Sequence, residues 1–166
     1  GTGSFTQSMI DFVTYTQRDY SEQTLEDYSF NVTGDILSLP AGELAFAAGF
    51  EYRDHDGSYR PDPIAESGET AGIPAGSTAG QFDVTEFYAE LQIPILEALE
   101  ANVAARSSDY STSGSESTYK AGLLWKPIDD LSLRGSVSTG FRAPGIGELF
   151  GGAAREDFTF TDPCAD

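Results

Sequence analysis

The chain has 166 residues and a formal net charge of −18, with 27 acidic side chains against 9 Lys and Arg, 18 Gly, 12% aromatics, and one each of Cys, Met and Trp. An acidic balance of this size excludes nucleic acid and anionic membrane surfaces as partners, because both are held by Lys and Arg. No window approaches the ~18 consecutive apolar residues of a transmembrane helix, and the mean hydropathy of −0.28 does not count against a transmembrane β-barrel, whose apolar band occupies only every second residue.

Residues 1–27 are polar with weak periodicity and read as loop, with a possible strand end near Phe12–Tyr15. A first strand follows over Tyr28 to Leu37, where Tyr28, Phe30 and Val32 alternate with Ser29, Asn31 and Thr33. Residues 38–42 punctuate it with Pro40 and Gly42. Leu44, Phe46, Ala48, Phe50 and Tyr52 then face one way and Ala45, Ala47, Gly49, Glu51 and Arg53 the other, the cleanest alternation in the chain. Residues 54–82, rich in Gly, Pro, Ser and Ala, are predicted to be a long loop, which in a compact soluble domain would be unusual.

Thr85, Phe87, Ala89, Leu91 and Ile93 resume the apolar face, opposite Glu86, Tyr88, Glu90 and Gln92. After a short connection at 94–98, Leu99 to Arg106 alternates again. Helix is the alternative there, since Ile95 to Ala101 strings strong helix formers behind Pro94; a strand keeps the hairpin rhythm. Residues 109–116 read as a polar loop, Tyr119 to Lys126 as a strand, and residues 127–130 as a turn. The last strand, Leu131 to Arg142, alternates over twelve residues, longer than the ~5–6 usual in soluble sheets and close to the ~9–11 a tilted strand needs to cross a bilayer.

Short connections (38–42, 94–98, 127–130) thus alternate with long ones (54–82, 109–116, 143 onward). Tight periplasmic turns and long extracellular loops give outer-membrane barrels this asymmetry. Aromatics sit near strand ends on the apolar face, with Tyr52, Tyr119 and Phe141 toward the long loops and Trp125 toward the short turns, as in interfacial girdles. The expected fold is all-β: an antiparallel, up-and-down transmembrane β-barrel segment of about six strands. Six are too few to close a membrane barrel, whose minimum is about eight, so residues 1–166 are expected to be part of one larger barrel domain. No leader is legible at Gly1-Thr2-Gly3-Ser4, and Cys164 has no partner in the chain; it is expected to pair beyond these residues, the alternative being a free thiol.

The run Gly140-Phe141-Arg142-Ala143-Pro144, followed by Gly147-Glu148-Leu149-Phe150, resembles the barrel signature of TonB-dependent outer-membrane receptors. Leu39 to Leu44 leading into Gly49-Phe50-Glu51-Tyr52-Arg53, Tyr88-Ala89-Glu90-Leu91, and Asp162-Pro163-Cys164 are also similar, so the likeness spans roughly residues 28–166. The resemblance implies a barrel of about twenty-two strands around an N-terminal plug in a bacterial outer membrane. It implies a small scarce solute as ligand, outer-membrane lipid as surroundings, and the TonB complex as a partner reached through a plug that this sequence does not contain. No cofactor is implied. The rivals are a passive porin-type or adhesive barrel, and a soluble secreted β-sandwich in which the Leu44, Phe46 and Phe50 face would pack on a second sheet.

No catalytic constellation is legible: one His and one Cys stand far apart, and the carboxylates show no acid–base spacing. Asp54-His55-Asp56-Gly57 opens like a calcium loop, but Tyr59 replaces the required Gly and Ala65 the bidentate Glu, so an EF-hand is rejected and no metal site is assigned; the loop carboxylates are expected to be solvated surface charges, the alternative being a looser divalent-ion contact. The candidates are charges on the wet face. Arg142 comes first, with Arg134, Arg106, Glu90, Glu86 and Arg53, as residues lining the lumen and contacting a plug or solute; the plainer alternative is lumenal salt bridges and hydration. Tyr59, Arg60, Phe158 and Phe160 are candidate extracellular ligand contacts, the alternative being solvated loop residues.

Overall fold

A computed structural model describes Gly3 and residues 5–152. A short helix, α1 (Gln7–Val13), leads into six strands: β1 (Tyr20–Leu39), β2 (Gly42–Arg60), β3 (Thr78–Leu96), β4 (Leu99–Tyr110), β5 (Gly114–Ile128) and β6 (Leu131–Ser138). They form one antiparallel sheet in sequence order. Helix α2 (Pro63–Glu66) lies between β2 and β3, and α3 (Ile146–Phe150) follows β6.

Cross-strand register gathers the apolar positions into rows. One runs Val32, Ala48, Ala89, Ala105 and Tyr119 over five strands. Its neighbour carries Phe30, Phe50 and Phe87, the last two with ring centroids 5.2 Å apart. Nothing covers this face among the described residues: Phe30 is 67% exposed, Phe87 58% and Val137 72%. The soluble rival required a second sheet here, and the described residues contain one sheet. On β1 the band runs from Tyr28 to Leu39, about 36 Å of strand and about 25 Å once tilted by ~45°, the height of a barrel's lipid-facing belt.

The strands are longer than alternation predicted. β1 starts at Tyr20, and β2 and β3 run to Arg60 and from Thr78, inside what read as loop. Above the facing pair Tyr28 and Tyr52 the same face carries Glu26, Asp54 and Asp83 side by side. Backbone pairing continues there while the apolar signal stops, because the face has left the greasy zone. The 54–82 loop therefore shrinks to residues 61–77, and the 109–116 loop to the turn 111–113. The 99–106 segment is strand, since paired neighbours on both sides override helix propensity. The predicted loop over 1–27 holds α1, capped by the Thr6 side chain, which accepts from the Met9 N–H.

β6 is shorter than expected. It ends at Ser138 rather than Arg142, with Thr139 closing the ladder: the Tyr119 N–H donates to Thr139 Oγ1 at 2.8 Å and the Thr139 N–H to the Tyr119 carbonyl at 2.9 Å. Beyond it the chain leaves the sheet plane, and Phe141 stacks obliquely on Tyr110, centroids 5.7 Å apart. Tyr110 pairs with Val84, which shares a face with Arg53. Phe141 thus belongs to the polar side and not to the predicted girdle.

Candidate functional site

The polar face carries the chemistry. Glu51 on β2 and Glu86 on β3 are direct cross-strand partners, and like charges so placed repel. Two guanidiniums resolve the conflict. Arg53 lies 3.3 Å from Glu51 and also pairs with Glu86, while Arg106, from β4, stands 3.5 Å from Glu51 and 3.8 Å from Glu86. Ser108, two residues on and on the same face, donates its hydroxyl to Glu86. Glu86 is only 2% exposed and Ser108 only 7%, so these hydrogen bonds are what make a buried carboxylate tolerable. Two carboxylates and two guanidiniums cancel, leaving a neutral, stiff girder across three strands.

The next row extends it. Arg106 sits 5.7 Å from the centre of the Tyr88 ring, and the Tyr88 hydroxyl donates to Asn31 Oδ1 at 2.6 Å. To reach Asn31 the ring lies across Gly49, where any Cβ would collide with it. Further toward the short turns, Asn102 donates to Glu90, and Glu90, Lys120 and Arg134 line a cleft of about 350 Å³. No ion pair links these last three to any described residue.

Residues after β6 form a strap folded back over the long-loop end of this face. Ile146 lies over Gly57 and Phe150 over Gly80, two glycines that are cross-strand partners. Their missing side chains make a flat floor: a Cβ at residue 80 would overlap the Phe150 ring, and one at residue 57 would come within 2.8 Å of Ile146 Cδ1. Between these anchors and the Phe141–Tyr110 contact lie Phe82, stacked on His55 at 4.7 Å, and fully buried Val84.

Arg142 holds the strap to itself. Its guanidinium forks onto Glu148 at 2.9 and 2.8 Å, and Glu148 also accepts the Gly145 N–H at 2.9 Å, capping α3. Hydrogen bonding from Arg142, then from Gly145, holds the Glu148 carboxyl down at about 2. The leading sequence candidate is thus off the sheet and paired within its own loop, where it shapes the strap instead of lining the wall. The two halves of the motif, Phe141-Arg142-Ala143-Pro144 and Glu148-Leu149-Phe150, form one clamp.

Of the other candidates, Arg53, Glu86 and Arg106 come together in one cluster, while Glu90 and Arg134 sit apart from it on the same face. Tyr59 and Arg60 end β2, with Tyr59 donating to Asp19 at 3.3 Å. Phe158, Phe160 and Cys164 lie outside the described residues. Sequence reasoning missed Ser108, Tyr88 and Glu148. Ser108 had a signal, its two-residue offset from Arg106; Glu148 stood inside the quoted motif.

The sheet combines a bare apolar belt, a charged polar face and a clamped motif, and the family model for the TonB-dependent receptor-like β-barrel matches residues 1–163. The chain belongs to that family. Members of that family are outer-membrane transport receptors rather than enzymes. No solved structure matches the chain.

Proposed function

We propose that this chain supplies wall strands of an outer-membrane receptor that captures a scarce solute, a siderophore, oligosaccharide or similar compound, and imports it with energy delivered by TonB through a plug domain. The observation that supports the reading best is the pairing of two unlike faces on one sheet. A belt about 25 Å tall suits lipid, and a neutralised Arg–Glu girder suits a water-filled lumen that must keep its shape while its contents move. β1 and β6 each have one neighbour, and unpaired edges in lipid cost several kcal/mol per backbone group. Further strands therefore complete the wall, and residues 1–166 form part of one barrel domain.

The test is energised uptake. Cells producing the full-length receptor should accumulate its solute with intact TonB and lose that uptake when TonB is deleted. Uptake that survives the deletion would return the protein to the passive class.

A further inference from the structure

At the long-loop end of β1–β3 a cleft of about 520 Å³ is lined by Arg18, Tyr20, Tyr59, Arg60, Pro63 and Glu66 among others, within the ~300–1,000 Å³ of small-molecule sites. The chain has 27 acids for 9 Lys and Arg, yet among the described residues neither Arg18 nor Arg60 makes an ion pair. The local acids explain why. Asp62 spends one oxygen on the Ile64 N–H at 3.0 Å, capping α2, and the other on the Arg18 backbone N–H at 3.1 Å. Asp19 accepts the Asp62 N–H at 2.9 Å and the Tyr59 hydroxyl at 3.3 Å. That backbone hydrogen bond, followed by those from Gln17 and Tyr59, holds the Asp19 carboxyl below its ordinary range. Glu66 takes the Ser77 hydroxyl at 3.3 Å. Asp19 and Asp62 fasten the 61–77 loop to the segment entering β1, and Arg18 and Arg60, free of ion pairs among the described residues, line one cleft with Tyr20 and Tyr59.

We propose that this cleft is a capture site for a soluble anionic solute, one carrying carboxylate or phosphate groups on a flat or ring-shaped body. Two guanidiniums give forked hydrogen bonds to such groups, and Tyr20, the cross-strand partner of Arg60, offers an apolar ring face beside it. The site rests on the transport reading and deepens it by naming the charge class of the cargo. Its place favours a solute over a lipid headgroup: Arg60 is eight residues beyond Tyr52 on β2, about 26 Å further along the strand than the aromatic edge of the lipid belt.

The test uses the full-length receptor in detergent micelles, titrated calorimetrically with benzene-1,3,5-tricarboxylate, its uncharged triamide, inorganic phosphate, and lipopolysaccharide micelles. The tricarboxylate should bind and the triamide should not. Arg18→Ala and Arg60→Ala should each weaken binding about tenfold or more, with Arg→Lys at either position recovering part of the loss. Glu66→Gln, which removes a repelling charge from the cleft wall, should tighten binding about threefold; because it gains function, it stands even if an Arg variant folds poorly. Phosphate should compete weakly. The proposal is overturned if the tricarboxylate does not bind, if the triamide binds equally, if the Arg variants bind as the parent does, or if lipopolysaccharide displaces the ligand, which would assign the cleft to lipid. Uptake separates the two claims. TonB-dependent uptake indifferent to Arg18 and Arg60 keeps the transport reading and sinks the site; Arg-dependent binding without TonB-dependent uptake does the reverse.

Discussion

The glycine floor under the strap makes a prediction with a change of sign. Phe150 is 37% exposed, so roughly two thirds of a ~200 Å² side chain is covered, about 125 Å². At ~25 cal/mol per Å² that is about 3 kcal/mol as an upper value, and ordering the side chain returns ~1 kcal/mol. A methyl group at residue 80 would occupy the place of the ring. Gly80→Ala should therefore cost the strap about 2 kcal/mol, a roughly thirtyfold rise in its opening equilibrium. Amide hydrogen exchange on the full-length receptor reads this directly, because the Glu148, Leu149 and Gly151 N–H groups are all bonded inside the strap. Phe150→Ala should open the strap by a similar factor. In the Phe150→Ala background, however, Gly80→Ala should cost nothing further and could stabilise by ~0.5 kcal/mol, since Ala restricts a strand better than Gly. If Gly80→Ala leaves exchange unchanged, or costs as much without the ring as with it, the seating of Phe150 on Gly80 is wrong.

Three other outcomes are expected. The Glu148 carboxyl sits at about 2, below its ordinary 4.5, so its pairing with Arg142 stabilises the strap fully above pH ~4.5 and is lost as the pH falls toward 2; strap exchange should follow that course in the parent, while in Glu148→Gln it lacks this component, and identical pH profiles would refute the clamp. Glu86→Gln leaves Arg53 and Arg106 sharing Glu51 alone and should cost about 2 kcal/mol, seen as a lower temperature for loss of the fast-migrating folded band on a semi-denaturing gel; an unchanged transition would mean the girder carries no load. Ala104 and Ala105 are chain neighbours on opposite faces, so Ala105→Lys should destabilise by ~2–4 kcal/mol and Ala104→Lys by far less, measured by urea unfolding in lipid vesicles, with equal costs refuting the assignment of faces.

Much of this architecture is legible in the sequence because lipid imposes a period-two pattern on one face. Leu44 to Tyr52 and Leu131 to Val137 announce their strands without help. Where the face leaves lipid the same strands fall silent: Glu26, Asp54 and Asp83 are as regularly paired as the residues below them, but their side chains obey water. Arg53, Glu86 and Arg106 could be put on one face by alternation, whereas their union with Ser108 depends on cross-strand register. The strap was illegible for a different reason. Nothing local to Gly80 or Phe150 says that they touch, and the contact depends on the chain leaving the sheet after β6 ends at Ser138. Arg142 was singled out for its motif, and its role changed once the chain bent and Glu148 came within reach.

The ladder irregularities are not scattered. Register slips occur between Asp35 and Leu37, between Pro94 and Leu96, and between Trp125 and Ile128, each beside a short turn, while the β2–β3 and β4–β5 ladders run without a slip. Since a one-residue slip exchanges the two faces of a strand, a fault confined to the lower rim is one the rest of the wall never feels. The sheet thus has a built-in seam for length variation at its inner edge. One residue gained or lost at the hairpins 40–41, 97–98 or 129–130 can be absorbed within a few positions, whereas the same change midway up a strand would turn lipid-facing residues into the lumen and lumenal charges into lipid.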